Sequence, residues 1–241
     1  MNSPTHLNAL GQPIGPALPQ WKAPPHPAHA VLNGRYCRLE ALHPARHAAD
    51  LRAANALDAD GSGWTYLSYG PLVTPEDYHD WMRKACAGDD PLFYAIVNLA
   101  DEKAVGVASY MRIDPANGVI EIGHINFAPR LQRTVAASEA LIVMIRRAFD
   151  ELKYRRVEWK CDALNAPSRA AALRLGFRYE GTFRQAAIYK GRSRDTAWFA
   201  IVDADWPALN DAYARWLERS NFGATGYNRT RLSALTAALT K

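Results

Sequence analysis

The chain has 241 residues, 49% hydrophobic and 22% charged, enough to bury a full core as one domain with extensions or as two small domains. Its net charge of +5 is spread along the sequence, so nucleic acid is not an expected partner, and no run approaches the roughly 18 apolar residues of a membrane helix. Cys37, Cys86 and Cys161 are odd in number and far apart, against a disulfide framework or a zinc site, and the start Met1 to His6 lacks a basic and apolar leader, so cytoplasm is the expected compartment.

Residues 1–30 hold Pro4, Pro13, Pro16, Pro19, Pro24, Pro25 and Pro27 among few large apolar side chains, which predicts an extended arm, ordered only where it docks. Arg35 to Leu42 has the pattern of a first strand, and Pro44 opens a helix to about Ala56. Thr74-Pro75-Glu76-Asp77 is a helix start, with a Thr cap, Pro in the first turn and acids that suit the dipole, for a helix through Ala85. Leu92 to Leu99, Ala104 to Ile113 and Val119 to Phe127 are strand-like runs joined by the turn formers Asp101 to Lys103 and Asp114 to Gly118, an antiparallel meander. Beyond them the pattern predicts a long helix from Ala136 to Phe149, a strand from Arg156 to Cys161 and a helix from Pro167 to Leu175. Two more strands follow, Phe177 to Phe183 and Thr196 to Val202. Asp205-Trp206-Pro207 starts a last helix in which Trp206, Leu209, Tyr213, Trp216 and Leu217 recur at helical spacing; the tail after Asn221 is expected to be weakly structured, with helix from Arg231. This order predicts an α/β chain with a mixed sheet.

The stretch from Val119 to Ala140 carries the chemistry. Ile120, Ile122, Ile125 and Phe127 make a β-rich run ended by Pro129, and the turn Gln132-Arg133-Thr134-Val135-Ala136-Ala137 leads into the long helix. The first N–H groups of a helix have no intrahelical partner and lie at the positive end of its dipole, which suits a diphosphate. Ala136, Ala137 and Ser138 are small enough to admit a phosphate near that backbone, and Arg133 can add a charge-assisted contact. This segment resembles the acetyl-CoA signature Q/R-x-x-G-x-G/A of the GNAT acetyltransferase superfamily, in the version of the Rim-type ribosomal-protein N-terminal acetyltransferases. Val135 stands where most of that family has Gly. Asn165-Ala-Pro-Ser168, Leu175-Gly176-Phe177 and Glu180-Gly181 resemble the family's second segment, N-x-x-S…L-G-F…E-G, at the proper distance.

The resemblance implies a GNAT fold of α/β (α+β) class, with a mixed, mostly antiparallel central sheet flanked by helices, over residues 31–205, between the arm at 1–30 and a C-terminal helix and tail at 206–241. It implies an N-acetyltransferase with acetyl-CoA as co-substrate, no metal, and an amine acceptor that is a small molecule or a protein N-terminus. Phe127, Gln132, Arg133, Thr134, Val135, Ala136, Ala137, Ser138 and Asn165 are then the residues that hold acetyl-CoA. Ser168 is the candidate proton donor to the CoA thiolate and Glu121 the candidate base, although helix capping for Asn165 and Ser168 and a paired charge for Glu121 stay open. Alternation puts Glu121 on the face of Gly123, Ile125 and Phe127.

An acid that often follows the R-Q-A segment in the Rim-type branch is replaced here by Ala187, after Arg184-Gln185-Ala186. Asp58 to Gly63 mimics an EF-hand start but has Tyr69 at the twelfth position, and neither His43 with His47 nor His26 with His29 has a metal-site context. His124 is expected to be a structural ring, and Trp64, Tyr66, Tyr69 and Tyr78 to be core, although relatives build the acceptor cleft from this region. A degenerate acyl-CoA sensor remains an alternative at this stage, and the arm and last helix are surfaces through which a homodimer could form.

Overall fold

The computed structural model describes residues 6–223 and 228–239; the first five residues of the arm and parts of the tail, 224–227 and 240–241, lie outside them. The arm docks. After a small ribbon of β1 (His6–Leu7) and β2 (Pro13–Ile14), Pro24 and Pro27 are buried. Tyr154 Oη donates to Pro25 O (3.1 Å) and Arg147 Nη2 to Ala28 O (2.6 Å).

The main sheet has the order β3-β4-β5-β6-β7-β8-β10-β9, from β3 (Leu32–Asn33), β4 (Cys37–Ala41), β5 (Leu92–Asn98), β6 (Lys103–Asp114), β7 (Val119–Phe127), β8 (Arg156–Asp162), β9 (Arg178–Tyr189) and β10 (Arg192–Val202). Every neighbouring pair is antiparallel except β7 with β8, so the meander expected from the turn formers forms and the sheet is mixed. On one face α1 (Pro44–Asn55) and α2 (Pro75–Ala85) cover Phe93, Ala95, Val97 and Val107. Thr74 and Asp77 form a reciprocal capping box at the start of α2, as the helix-start signal predicted. On the other face α3 (Val135–Arg146), α4 (Ala166–Arg174) and α5 (Trp206–Leu217) pack on Tyr94, Tyr110, Ile120, Ile122, Trp159 and Phe199. A short α6 (Leu232–Thr236) closes that side.

Ten consecutive residues of α3, Ala136 to Ile145, are buried, as suits a helix apolar on all sides. The helix widens into a π turn over Arg147–Glu151, where Leu152 N–H donates to Arg147 O (3.0 Å), instead of running regularly to Phe149. The same turn holds Arg147 inside the molecule, where its Nη1 donates to Tyr94 Oη (2.6 Å).

Two elements differ from the sequence pattern. A strand at Leu32–Asn33 precedes the expected one, joined through Gly34, because buried Glu139 of α3 accepts the N–H groups of Arg35 (2.8 Å), Tyr36 (2.6 Å) and Cys37 (3.2 Å). A Cβ on Gly34 would stand 2.5 Å from Glu139 Oε2, so only glycine fits beneath that carboxylate. The last two strands form a longer hairpin than predicted: a bulge at Gln185 (φ 50°), whose N–H donates to Asp195 Oδ1 (2.7 Å), carries β9 past Arg184 to a Lys190-Gly191 turn with both φ positive.

Candidate active site

β7 and β8 are paired for only three residues each, Val119 with Arg156, Ile120 with Val157 and Glu121 with Glu158. Beyond that point β7 stays with β6 through Phe127 and β8 stays with β10 through Asp162, so the two strands part and the β7 edge from Ile122 to Phe127 has no strand beside it. A bulge lies in the parted segment. Between the pairs Ser109–Gly123 and Val107–Asn126, β7 has His124 and Ile125 where β6 has Ala108 alone, and His124 takes φ 49°.

The bulge corrects the alternation inferred from sequence. Ile125 and Phe127 pack on the α3 side with Ile120 and Ile122, whereas His124 lies with Tyr69 and Phe93 on the α2 side, and Glu121 faces away from Ile120 and Ile122. One extra residue in left-handed conformation is enough to move Ile125 and Phe127 off the face of Glu121.

The turn into α3 leads directly from the end of the parted edge. Thr134 caps the helix, accepting Ala137 N–H (3.1 Å) and donating to Leu131 O (2.7 Å). Arg133 alone in the turn has a positive φ (61°); Val135 is the first helical residue and half-buried, so its side chain meets no left-handed backbone. Gln132 Nε2 donates to Phe127 O (2.8 Å), tying the turn to the strand. Among the described residues the N–H groups of Val135 and Ala136 have no acceptor. Ser138, in contrast, is buried and accepts from Arg174 Nη1 (2.9 Å), so its hydroxyl faces α4 rather than the helix start.

Across the gap, Asn165 Oδ1 accepts Ser168 N–H (3.1 Å) and so caps α4. Ser168 Oγ accepts the Trp159 indole N–H (3.0 Å), and its hydroxyl also lies against the Cys161 thiol.

Glu121 closes the narrow end. Its side chain is 2% exposed, with Oε1 2.7 Å from Arg112 Nη1 and Oε2 3.0 Å from Lys160 Nζ. Lys160 Nζ is also 2.6 Å from Glu158 Oε2, and Arg156 Nε lies 2.7 Å from Glu158 Oε1 and reaches on to Glu180. Burial pushes the Glu121 carboxyl above its ordinary range against the pull of Arg112 and Lys160. Burial also opposes ionisation of Glu158, yet hydrogen bonds from Lys160 and Arg156 hold it below its ordinary value. Lys160 lies 3.8 Å from the centroid of the Trp198 ring. The sequence reading missed Arg112, Lys160 and Trp198; charges at alternate positions of an apolar strand, Glu158 and Lys160, were the available signal.

The aromatic group read from sequence as one cluster divides. Tyr78 is core and accepts from Asn55 Nδ2 (3.0 Å), while Tyr69 stacks on His124 with centroids 5.7 Å apart. Tyr66 Oη donates to Leu164 O (3.1 Å), Lys190 Nζ to Trp64 O (2.7 Å) and Tyr189 Oη to Asp162 Oδ2 (2.8 Å), joining the segment before α2, the end of β8 and the β9–β10 turn around the parted strands. Tyr69 Oη, Arg194 Nε and Trp198 Nε1 are buried without partners among the described residues.

Residues 38–178 match the family described as Acetyltransferase (GNAT) domain. A GCN5-related N-acetyltransferase from Brucella melitensis is similar at 44% identity over 91% of this chain and 100% of that one, with a TM-score of 0.89. A probable acetyltransferase of the GNAT family from Chromobacterium violaceum ATCC 12472 is similar at 40% identity, covering 82% of this chain and 98% of that one, with a TM-score of 0.75. The ribosomal-protein-serine acetyltransferase of Escherichia coli (strain K12) is 32% identical over 106 residues, 43% of this chain and 58% of that protein.

Proposed function

The chain belongs to the GNAT acetyltransferase family, and on that premise we propose that it transfers the acetyl group of acetyl-CoA by direct attack of a neutral, weakly basic primary amine, first of all the α-amine of a peptide or protein. The observation that carries this reading is the meeting of the β7 edge from Ile122 to Phe127, which has no strand beside it, with the start of α3, where the N–H groups of Val135 and Ala136 have no acceptor among the described residues. The N–H groups of Val135 and Ala136 suit the diphosphate, with Arg133 beside them, while the capping hydroxyl of Thr134 and the Gln132 amide hold the turn in shape. The amides of the pantetheine arm suit the β7 edge, where they replace a missing strand, and free N–H groups there can stabilise the developing oxyanion. Ser168 supplies the proton for the departing thiolate. Cysteine nucleophilicity is not called on: Cys37 and Cys161 are buried, the exposed Cys86 donates to Leu42 O (3.1 Å), and burial pushes all three thiols up.

The acceptor class follows from what the site lacks. Glu121 is held between two cations and Ala187 offers no acid. At pH 7.4 a lysine amine, with pKa about 10.4, costs about 4 kcal/mol to present neutral, whereas an α-amine near 7.7 to 8.0 costs less than about 1 kcal/mol. The name of the E. coli relative, a ribosomal-protein-serine acetyltransferase, supports a protein as the acceptor. A peptide with a free α-amine on serine and one internal lysine, incubated with acetyl-CoA and mapped by mass spectrometry, should carry acetyl first on the α-amine, with a rate that rises and levels near that amine's pKa. Dominant internal-lysine acetylation would refute the weak-base reading.

A further inference from the structure

The reaction requires that the attacking amine lose a proton, and Glu121, the base suggested by sequence, is occupied by Arg112 and Lys160 at the closed end of the strand pair. Three residues along β7, the bulge turns His124 to the α2 side at the point where the unpaired edge begins. The ring is only partly buried, lies between Tyr69 (5.7 Å) and Phe93 (5.0 Å), and neither of its nitrogens has a hydrogen-bond partner among the described residues. The aromatic slot fixes the ring while its nitrogens stay open to solvent and to an incoming donor. A positive φ at a side-chain-bearing residue is also uncommon, and such conformations cluster at functional positions.

We propose that His124 accepts the proton of the acceptor amine as that amine attacks the acetyl thioester. The inference rests on the acetyl-transfer reading above and adds a residue to it. In the step, the amine nitrogen bonds to the carbonyl carbon and the carbon–sulfur bond breaks. The nitrogen's proton passes to a His124 ring nitrogen, and the sulfur takes the Ser168 hydroxyl proton. His124 then returns its proton through solvent to Ser168, so one proton has moved from amine to CoA thiol.

The surroundings keep the ring in its neutral, proton-accepting form. The titratable groups facing the ring are Tyr69 from the segment before α2 and Arg112 from β6, with Glu121 on its own strand. Burial, with Arg112 adding to it, lowers the His124 pKa to about 4, so the ring is neutral throughout the working range, and burial keeps the Tyr69 phenol protonated. So weak a base does not deprotonate a free ammonium; it takes the proton once the carbon–nitrogen bond is forming and the nitrogen has become acidic. Such a site needs an amine that arrives neutral, in agreement with a weakly basic acceptor.

The test uses the full chain, acetyl-CoA and the serine-start peptide. His124→Phe, which keeps a ring between Tyr69 and Phe93, should lose about 100-fold to 1,000-fold in kcat while acetyl-CoA affinity stays within about threefold of the parent. His124→Ala should regain turnover on addition of imidazole, a response that a purely structural ring would not give. Activity of His124→Phe within threefold of an active parent overturns the role of His124 and leaves the transfer reading standing. Should His124→Phe unfold, a folded His124→Ala chain that binds acetyl-CoA and shows no response to imidazole overturns it equally. A parent that binds acetyl-CoA but acetylates no amine overturns the transfer reading and this role with it.

Discussion

The paired and parted halves of β7 and β8 are built from the same two strands and behave as opposites. In the paired half, backbone bonds between Val119–Glu121 and Arg156–Glu158 are backed by a run of alternating charges from Arg112 through Glu121, Lys160 and Glu158 to Arg156. In the parted half, from Ile122 and Trp159 onward, the strands share no pairing, and the titratable side chain that β7 places there is the neutral ring of His124. A sheet that must open for a substrate needs a hinge point that cannot unzip further, and buried, mutually paired charges supply one, because breaking any single pair strands its partner in low dielectric.

The sharpest way to break this contrast is Lys160→Met. It leaves Glu121 and Glu158 buried with their shared cation gone, and should cost about 3–5 kcal/mol of folding stability in denaturant titration. A loss below about 1 kcal/mol would show that the charge run does not hold the strands together. Next comes the open half. Acetyl-CoA at about 100 times its dissociation constant should stabilise the parent by about 2.7 kcal/mol. Val135→Asp should remove most of that gain while the fold survives, since an acid at a first helical position suits the dipole but faces the diphosphate. Equal thermal stabilisation of parent and variant would move the diphosphate elsewhere.

Removing residues 1–30 should have a smaller effect, spread over the arm's docking contacts at the far end of α3, at Phe93 and Tyr94 of β5 and at the Gly118 turn. Arg147 and Tyr154 lose their contacts to Ala28 and Pro25, at about 1–3 kcal/mol, and acetyl-CoA affinity stays unchanged by calorimetry. A weakened affinity would mean that the two ends of α3 are not independent. The smallest effect belongs to Glu121→Gln. A carboxyl whose folded pKa is raised makes the parent less stable as pH rises through that value, so the Gln chain should gain on the parent from pH 4.5 upward, compared by melting at pH 4.5 and pH 7. A gain in the opposite direction would show that the ion pairs outweigh burial.

Most elements were legible in sequence because their signals are local: Thr74 to Asp77 announced α2, the turn formers announced the meander, and Gln132 to Ala137 announced the start of α3. The departures all involve contacts across distance or unusual φ. Glu139 was visible only as part of a motif, yet it anchors the turn at Gly34 about a hundred residues away in sequence through three backbone N–H groups. Ser138 belonged to the small-residue stretch and is buried against Arg174. The bulge at Gln185 extended a strand that the pattern had ended at Phe183.

By itself the sequence determined the half of the site that is made of backbone. A helix start and a turn are specified within about ten consecutive residues, because unpaired N–H groups and a cap need no partner from elsewhere in the chain. The tertiary structure alone decided the side-chain group beside it. Tyr69, Arg112, His124, Lys160 and Trp198 come from five separate segments, brought together by strand order and by one residue at φ 49° that breaks the alternation. Period-two reasoning cannot anticipate a bulge, since the extra residue is accommodated by a register shift against β6 and packing against Tyr69 and Phe93, interactions that exist only once the sheet has formed.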